Sequence, residues 1–273
     1  MKIAIIGAGA MGGALAEGLF LSKATEPTGD KAEGKWEFPL TIADPCEAAL
    51  QRFKDSAATL TTSNNDAVAE TDTLFIVVKP WLVEQVIKGI LPDITGRRLT
   101  IVVIAAGVPS ESIKHWLQTD SNPDFSLFLA IPNTAIAVKQ SMTFLVPAIA
   151  DETETKAMKE LFDSLGQCIV TEERLLAAGT TLASCGIAYA MRYIRAATEG
   201  GVEIGFKAHD AQQIVQQTVK GAVALLQATG NHPEAEIDKV TTPGGVTIKG
   251  LNEMEHAGFT SAVIRGLKAG LKS

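Results

Sequence analysis

The chain has 273 residues, of which 46% are hydrophobic and 20% charged, the composition of an ordinary globular protein long enough for two domains. A formal net charge of −7 disfavours nucleic-acid and anionic-membrane partners, because both require a basic face. Three scattered cysteines exclude a disulfide framework and a zinc site, and no apolar stretch reaches the roughly 18 residues that span a bilayer, so we expect a cytoplasmic protein without a bound metal.

Strand-like runs alternate with helical stretches over residues 1–168. The runs are apolar throughout, which is typical of strands buried on both faces in a parallel sheet covered by helices. They are "KIAIIG", "PLTIAD", "TLFIVVKP", "LTIVVIAAG", "FSLFLAIP" and "TFLVPA". The segments between them, such as "MGGALAEGLFLS" and "PWLVEQVIKGI", predict helices. The first domain is therefore predicted to be α/β with a doubly wound sheet.

The first predicted strand leads directly into "GAGAMG", which places Gly7, Gly9 and Gly12 in a GxGxxG pattern. Because the pattern lies in the first βα turn, it predicts a Rossmann-type dinucleotide site. Gly7 would permit the tight turn, Gly9 the approach of a pyrophosphate, and Gly12 the close packing of helix against strand.

The second predicted strand ends at Asp44, where a carboxylate would accept hydrogen bonds from an adenosine ribose. Asp44 lies further from Gly12 than the usual ~20 residues, and the polar segment 23–37, which we interpret as a surface loop, accounts for the excess. A 2′-phosphate would meet Asp44 as a like charge, although Arg52 and Lys54 follow and could tolerate it. The sequence therefore favours NADH without excluding NADPH.

The strands end near residue 171, and residues 169–273 predict an all-helical second domain. "AHDAQQIVQQTVKGAVALLQAT" carries apolar residues at helical spacing, and the C-terminal stretch predicts two helices broken near Gly258. Apolar faces this extensive on about 100 residues predict that the domain packs against a second copy of the chain. We expect a homodimer, from which higher rings of dimers could be built.

The segment "KVTTPGGVTIKG", residues 239–250, places two glycines after a proline and before a predicted helix. Two interpretations stay open. The segment could be a tight turn at a proline–glycine corner. Alternatively, its free N–H groups and the dipole of the next helix could bind a small anion.

Together these motifs resemble those of pyrroline-5-carboxylate reductases. The glycine pattern, "VVKP" at 77–80, "AAGV" at 105–108, "IPNT" at 131–134 and "TTPGG" at 241–245 occur in the family's order, and the resemblance covers essentially the whole chain. The "PGGVTIKGL" stretch is far more specific than the glycine pattern. The resemblance implies hydride transfer from NAD(P)H to the C=N carbon of 1-pyrroline-5-carboxylate, giving L-proline in the last step of proline biosynthesis.

The resemblance also implies which residues form the site. It places the cofactor against Gly7, Gly9, Ala10, Met11, Gly12, Asp44, Val78, Lys79, Pro80, Ala105, Ala106, Gly107 and Asn133. It places the substrate against Asn133, Thr242, Gly244, Gly245, Val246 and Thr247. Thr247 is the candidate catalytic residue, through a hydrogen bond near the ring nitrogen, although its hydroxyl could only cap helix backbone. Asn133 could instead brace its own loop, and Lys79 could lie in solvent at a sheet edge.

The chain also departs from the family pattern. Leu129 stands where an arginine is usual, and Ala135 and Ile187 stand where prolines are usual. Two alternatives therefore stay open: a reductase of a different cyclic imine, and a non-catalytic NAD(P)-binding regulatory protein. A β-hydroxyacid dehydrogenase would share the domain arrangement, but Lys220 lacks the asparagine that such enzymes place one turn later.

Overall fold

The computed structural model describes residues 1–23, 39–117 and 125–272. The loop predicted at 23–37 lies outside these residues except for its first position. The chain divides into two compact units, Met1–Ser184 and Cys185–Ser273. The predicted domain boundary between residues 168 and 169 stays a prediction, because compactness alone does not decide to which domain the connecting segment 169–184 belongs.

One sheet forms the centre of the N-terminal unit. Among the described residues it has eight strands: β1 (Ile3–Ile6), β2 (Leu40–Ala43), β3 (Thr59–Thr61), β4 (Thr73–Ile76), β5 (Leu99–Val103), β6 (Phe125–Ile131), β7 (Ser141–Ile149) and β8 (Gly166–Val170). Their order is β3-β2-β1-β4-β5-β6-β7-β8, and all neighbours are parallel except β6 and β7. The order reverses between β1 and β4, which is the switch point of a doubly wound sheet. The predicted α/β class is confirmed.

The sequence placed β7 among the parallel strands, but it runs antiparallel to β6. Residues 132–140 connect the two strands, and this stretch is too short for the crossover of a dozen or more residues that parallel pairing needs. Neither β3 nor β8 was predicted from the sequence. Both lie at the edges of the sheet and are only partly buried, so they lack a continuous apolar run.

Helices cover both faces of this sheet. Ile3 and Ile5 of β1 belong to one hydrophobic core, and Ala4 and Ile6 belong to the other, because successive side chains of a strand point to opposite faces. The helices are α1 (Ala10–Lys23), α2 (Glu47–Leu50), α3 (Asn64–Val68), α4 (Val83–Ile94), α5 (Ser110–Leu117), α6 (Glu152–Asp163) and α7 (Leu176–Gly179).

The described residues of the C-terminal unit form only helices, as predicted: α8 (Gly186–Glu203), α9 (Ala208–Thr229), α10 (Pro233–Val240), α11 (Val246–His256) and α12 (Phe259–Ala269), followed by a short 3-10 turn. The break expected near Gly258 separates α11 from α12, with Gly258 at φ +83°. Ala211 is the only buried residue among the described residues of this unit. Five helices with so little interior of their own in one chain need further apolar contacts to be stable. No helix in the described part of the chain is both long and apolar enough to cross a bilayer.

Candidate active site

The glycine turn between β1 and α1 is held by close backbone contacts. Gly7 has φ +102°, and a Cβ on it would lie 2.2 Å from the Val77 carbonyl oxygen. A Cβ on Gly12 would lie 1.8 Å from the Gly7 carbonyl oxygen. The first glycine therefore lies against the end of β4, and the third lies against the first.

Gly9 differs from both, because a Cβ there would have no neighbour within 4 Å. It borders a cavity of about 930 Å³ at the carboxyl ends of the strands, beside the switch point between β1 and β4. A cavity of this size and position fits an extended dinucleotide. The absent side chain at Gly9 leaves the backbone of the turn accessible to such a ligand.

Most of the predicted cofactor residues line this cavity. They are Gly7, Gly9, Ala10, Met11, Asp44, Val78, Lys79, Pro80, Ala105 and Ala106. Gly12, Gly107 and Asn133 are not part of its wall. Gly12 acts through packing, as its contact with Gly7 shows. The structure thus brings together, within one unit, residues from four separate motifs; their cofactor roles stay a prediction.

Asp44 lies half-buried at the end of β2. Its Oδ2 accepts the Ala8 N–H at 2.7 Å, and its Oδ1 accepts the Cys46 N–H at 2.9 Å. The carboxylate therefore already braces the glycine turn and the turn after β2. Each oxygen keeps a further lone pair, so Asp44 can still accept a ribose hydroxyl.

The sequence did not identify Asn64, which begins α3 and also lines the cavity. Its side-chain Oδ1 is buried without a hydrogen-bond partner among the described residues. An orphaned acceptor at a cavity wall fits a site that takes a polar ligand, because leaving such an atom unpaired costs about 1–3 kcal/mol. The "SNND" stretch at the start of a helix was the signal available in the sequence.

Asn133 is placed as a brace. It is 7% exposed, its Oδ1 accepts the Ala135 N–H at 3.0 Å, and its Nδ2 donates to the Ala183 carbonyl at 3.4 Å. Both ends of its side chain are thus engaged within the N-terminal unit. This geometry favours the bracing alternative, and a direct ligand contact of Asn133 stays a prediction.

The segment held by Asn133 contains a π-helical turn at Thr180–Ser184. The helical stretch that follows β8 is therefore interrupted between α7 and α8. A Cβ on Gly179 would lie 2.8 Å from the Phe144 ring, so close packing fixes the start of the turn. π turns recur at functional sites, and here Thr180 and Ser184 reach the cavity wall. Neither was predicted from the sequence.

The loop predicted to hold the substrate lies in the C-terminal unit, immediately before α11. The Gly245 N–H donates to the Thr242 carbonyl at 2.9 Å, and Gly244 has φ +71°. With Pro243 and Gly244 at its centre, this is the pattern of a type II turn. The expectation that both glycine amides are free is therefore corrected, because Gly245 closes the turn.

The turn and the anion interpretation are compatible. Gly245 is the N-cap of α11, so Val246 and Thr247 occupy the first helical turn, whose N–H groups have no acceptor within the helix. The Gly244 N–H and the exposed Thr247 hydroxyl have no partner within the described part of the chain. Thr242 contacts the same turn, since a Cβ on Gly245 would lie 2.5 Å from its Oγ1.

Leu129 is 3% exposed within β6, in one of the two cores of the sheet. The hydrophobic side chain that replaces the family's usual arginine therefore has a packing role in this chain. Ala135 lies half-buried in the short helix capped by Asn133. Nothing in the structure explains the replacement of proline at Ile187.

Comparisons with known proteins cover both units. Residues 173–273 match the family model described as "Pyrroline-5-carboxylate reductase dimerisation", and residues 2–107 match "NADP oxidoreductase coenzyme F420-dependent". The chain is 34% identical to pyrroline-5-carboxylate reductase 2 of Dictyostelium discoideum, over 97% of this chain and 89% of that protein. It is 37% identical to pyrroline-5-carboxylate reductase 1 of the same organism, over 97% of its own length but only 48% of that protein.

Solved structures agree with the fold. The 1-pyrroline-5-carboxylate reductase from Streptococcus pyogenes has a TM-score of 0.82 and 27% identity, over 100% of this chain and 97% of that one. The pyrroline carboxylate reductase of Plasmodium falciparum with NADP bound has a TM-score of 0.83 at 22% identity, over 100% and 96% of the two chains. At that identity the second likeness concerns the fold alone.

Proposed function

Because the chain belongs to the pyrroline-5-carboxylate reductase family, we propose that it reduces 1-pyrroline-5-carboxylate to L-proline with NAD(P)H. The observation that carries this proposal is the cavity at the switch point of the sheet, bordered by the exposed backbone of Gly9. The enzyme is an oxidoreductase acting on a carbon–nitrogen bond. The preference for NADH stays a prediction.

The reaction needs little acid–base catalysis from the protein. The bound nicotinamide supplies the hydride, which is delivered to the C=N carbon of the cyclic imine. A protonated imine is already electrophilic, so the protein's work is to orient two rings and to compensate one carboxylate. The chain meets the second need with backbone amides, for which the Gly244 N–H and the first turn of α11 are the candidates.

We assign Thr247 a hydrogen bond to the ring nitrogen of the substrate. The support is its exposed hydroxyl, which has no other partner in the described part of the chain and stands on the first turn of α11, beside the proposed carboxylate site. Thr242, Gly244, Gly245 and Val246 would complete the substrate contacts. The opposed interpretation, in which Thr247 serves only its helix, predicts a stability change without a kinetic one.

The assay follows the loss of reduced-nicotinamide absorbance with 1-pyrroline-5-carboxylate, using NADH and NADPH in parallel. Thr247→Val keeps the shape of the side chain and removes the hydroxyl, and should lower kcat/KM by about tenfold to a hundredfold. Thr247→Ser should retain most of the activity. Thr260→Val is the matched control, because Thr260 holds the second position of α12, where its hydroxyl donates to Glu255 at 2.8 Å.

Turnover by the wild-type chain together with loss in Thr247→Val would support both the reaction and the assignment. Dinucleotide binding without turnover would favour the two alternatives, which further assays separate. Reduction of a six-membered cyclic imine would identify a different substrate, and inactivity with every imine would identify the regulatory protein. Equal kinetic loss in Thr247→Val and Thr260→Val would remove the role of Thr247.

The chain forms homo-oligomers through its C-terminal unit, which matches the family's dimerisation model. We propose that the assembly is a homodimer, from which rings of dimers could grow. The support is that Ala211 alone is buried among the described residues of this unit, while Met191, Val223 and Leu225 are about half exposed in the single chain. Light scattering at micromolar concentration should give at least twice 28.8 kDa, and a mass of 28.8 kDa would refute the proposal. The cytoplasmic location stays a prediction.

A further inference from the structure

The guanidinium of Arg52 occupies space that a side chain at position 13 would fill. Arg52 lies in the short 3-10 helix after α2, and a Cβ on Gly13 would lie 0.6 Å from its Nη2. The same Nη2 donates to the Gly9 carbonyl at 3.1 Å. The guanidinium carbon also lies 4.7 Å from the centre of the Phe53 ring. The absence of a side chain at Gly13 therefore leaves space for the Arg52 guanidinium against the first turn of α1.

Two oppositely charged side chains, Asp44 and Arg52, hydrogen-bond the backbone of consecutive residues in the glycine turn. Asp44 accepts the N–H of Ala8, and Arg52 donates to the carbonyl of Gly9. Asp44 lines the cavity, and alone it would repel a phosphate on the adenosine ribose. The Arg52 side chain is 38% exposed and is not part of the cavity wall, but its guanidinium reaches the same turn through Gly9, whose backbone borders the cavity.

The other charged groups near Arg52 have different positions. Glu17, one turn beyond Gly13 on α1, approaches Arg52 Nη1 at 3.7 Å and is 46% exposed, so this ion pair is weak. Lys54 lies two residues after Arg52 and is exposed, with no contact to the glycine turn among the described residues. Among the described residues, Arg52 is thus the cation that hydrogen-bonds the turn, and Lys54 is a natural control for its charge.

We propose that Arg52, whose guanidinium packs against Gly13, is a specificity-determining residue. Its positive charge offsets the negative charge of Asp44 and favours the dinucleotide that carries a 2′-phosphate. The effect has two parts: the hydrogen bond to Gly9 holds the turn, which serves both cofactors, and the positive charge acts on the additional phosphate, which serves only NADPH. This inference rests on the proposed function only in that the cavity takes a dinucleotide. It reverses the preference for NADH that Asp44 suggests when considered alone.

The test is a fluorescence titration of the full-length chain with NADPH and with NADH, in the absence of an imine. Arg52→Met should raise the Kd for NADPH by about tenfold and that for NADH by no more than about twofold, the effect expected when one nearby charge is lost. Gly13→Ala should change the ratio of the two Kd values in the same direction, because the new methyl group displaces the guanidinium while the charge of the protein is unchanged. Lys54→Met should leave the ratio as in the wild type.

Two further measurements separate charge from packing. Glu17→Gln should improve NADPH binding by about twofold, because it removes the carboxylate that competes for Arg52. Raising the ionic strength from about 50 to 500 mM should bring the wild-type ratio close to that of Arg52→Met, since a shorter Debye length screens the charge.

Equal weakening of both cofactors in Arg52→Met would overturn the proposal, because it would show that the residue only braces the turn. An unchanged ratio would also overturn it, as would an equal effect of Lys54→Met. Circular dichroism and thermal unfolding of each variant establish that the fold is retained. Because binding is measured without an imine, a chain that binds NADPH but reduces no substrate would count against the proposed reaction alone.

Discussion

Replacing Gly9 with alanine should weaken cofactor binding while leaving the fold intact. A Cβ at this position meets no atom within 4 Å, so the methyl group has space in the protein alone. Gly9 precedes α1 at its N-cap position, where alanine is less favourable than glycine, and the expected cost in stability is below about 1 kcal/mol. The same methyl group would enter the space where a pyrophosphate approaches the turn. We expect the Kd for NAD(P)H to rise by at least about tenfold.

Gly7→Ala is the matched variant with the opposite signature. Its Cβ would lie 2.2 Å from the Val77 carbonyl oxygen, and its backbone would have to keep φ +102°. The left-handed conformation costs about 1–2 kcal/mol for a residue with a Cβ, and separating the turn from the end of β4 costs about 1–3 kcal/mol more. We therefore expect a loss of roughly 2–5 kcal/mol in the free energy of unfolding.

The two variants are compared by thermal unfolding without cofactor and by quenching of protein fluorescence with NADPH and NADH. At about 2–4 °C per kcal/mol, Gly7→Ala should unfold at a markedly lower temperature, and Gly9→Ala should unfold close to the wild type. Wild-type affinity in Gly9→Ala would refute the reasoning, because it would mean that no cofactor phosphate approaches this part of the backbone.

Three further predictions concern Cys168, Glu154 and Asn64. Burial, and secondarily Asp163, raises the pKa of the Cys168 thiol to about 12, so at pH 8 only about one in 10⁴ molecules carries the thiolate. Mass spectrometry after thiol labelling should therefore find the exposed Cys46 modified, and Cys168 modified only on unfolding. The pKa of Glu154 is lowered by hydrogen bonds from the Ser126 hydroxyl and the Asp151 N–H, together with Arg98. The Glu154 charge therefore stabilises the fold above the unfolded-state pKa of about 4.3, and this contribution is lost as the pH falls through the lowered value. In urea unfolding, Glu154→Gln should be less stable than the wild type by about 0.5–1 kcal/mol at pH 7, with the difference shrinking at pH 3; a constant difference would contradict the assigned cause. Asn64→Ala should leave the cofactor-free protein as stable as the wild type or about 1 kcal/mol more stable, because it removes an unpaired buried acceptor, while weakening NAD(P)H binding about tenfold; unchanged binding would exclude a cofactor contact.

The fold was largely predictable from the sequence because its signals are local. Short buried strands such as β1 (IAII) and β4 (TLFI) are almost entirely apolar, which indicates burial on both faces, and the glycine spacing after β1 indicates a tight turn. The helical C-terminal unit followed from periodicity in the same way. The edge strands β3 and β8 were not predicted, because they are short and partly exposed and therefore lack a continuous hydrophobic pattern.

The direction of β7 could not be read from its own residues, because a buried strand has the same composition in a parallel and in an antiparallel pair. The length of the connection from β6, residues 132–140, decides the direction. The sequence likewise could not show whether the Gly245 N–H is free, because a proline–glycine corner occurs in turns with and without a closing hydrogen bond. The structure shows that Thr242 accepts it.

The sequence by itself determined the class of the fold, the helical second unit and the segments that border the cavity, because each depends on neighbours in the chain. Only the tertiary structure decided how individual side chains are used. Arg52 meets Gly9 and Gly13 across about 40 positions, Asp44 braces Ala8, and Asn133 reaches Ala183. Such contacts depend on the packing of separate elements against one another, and neither periodicity nor spacing along the chain encodes them.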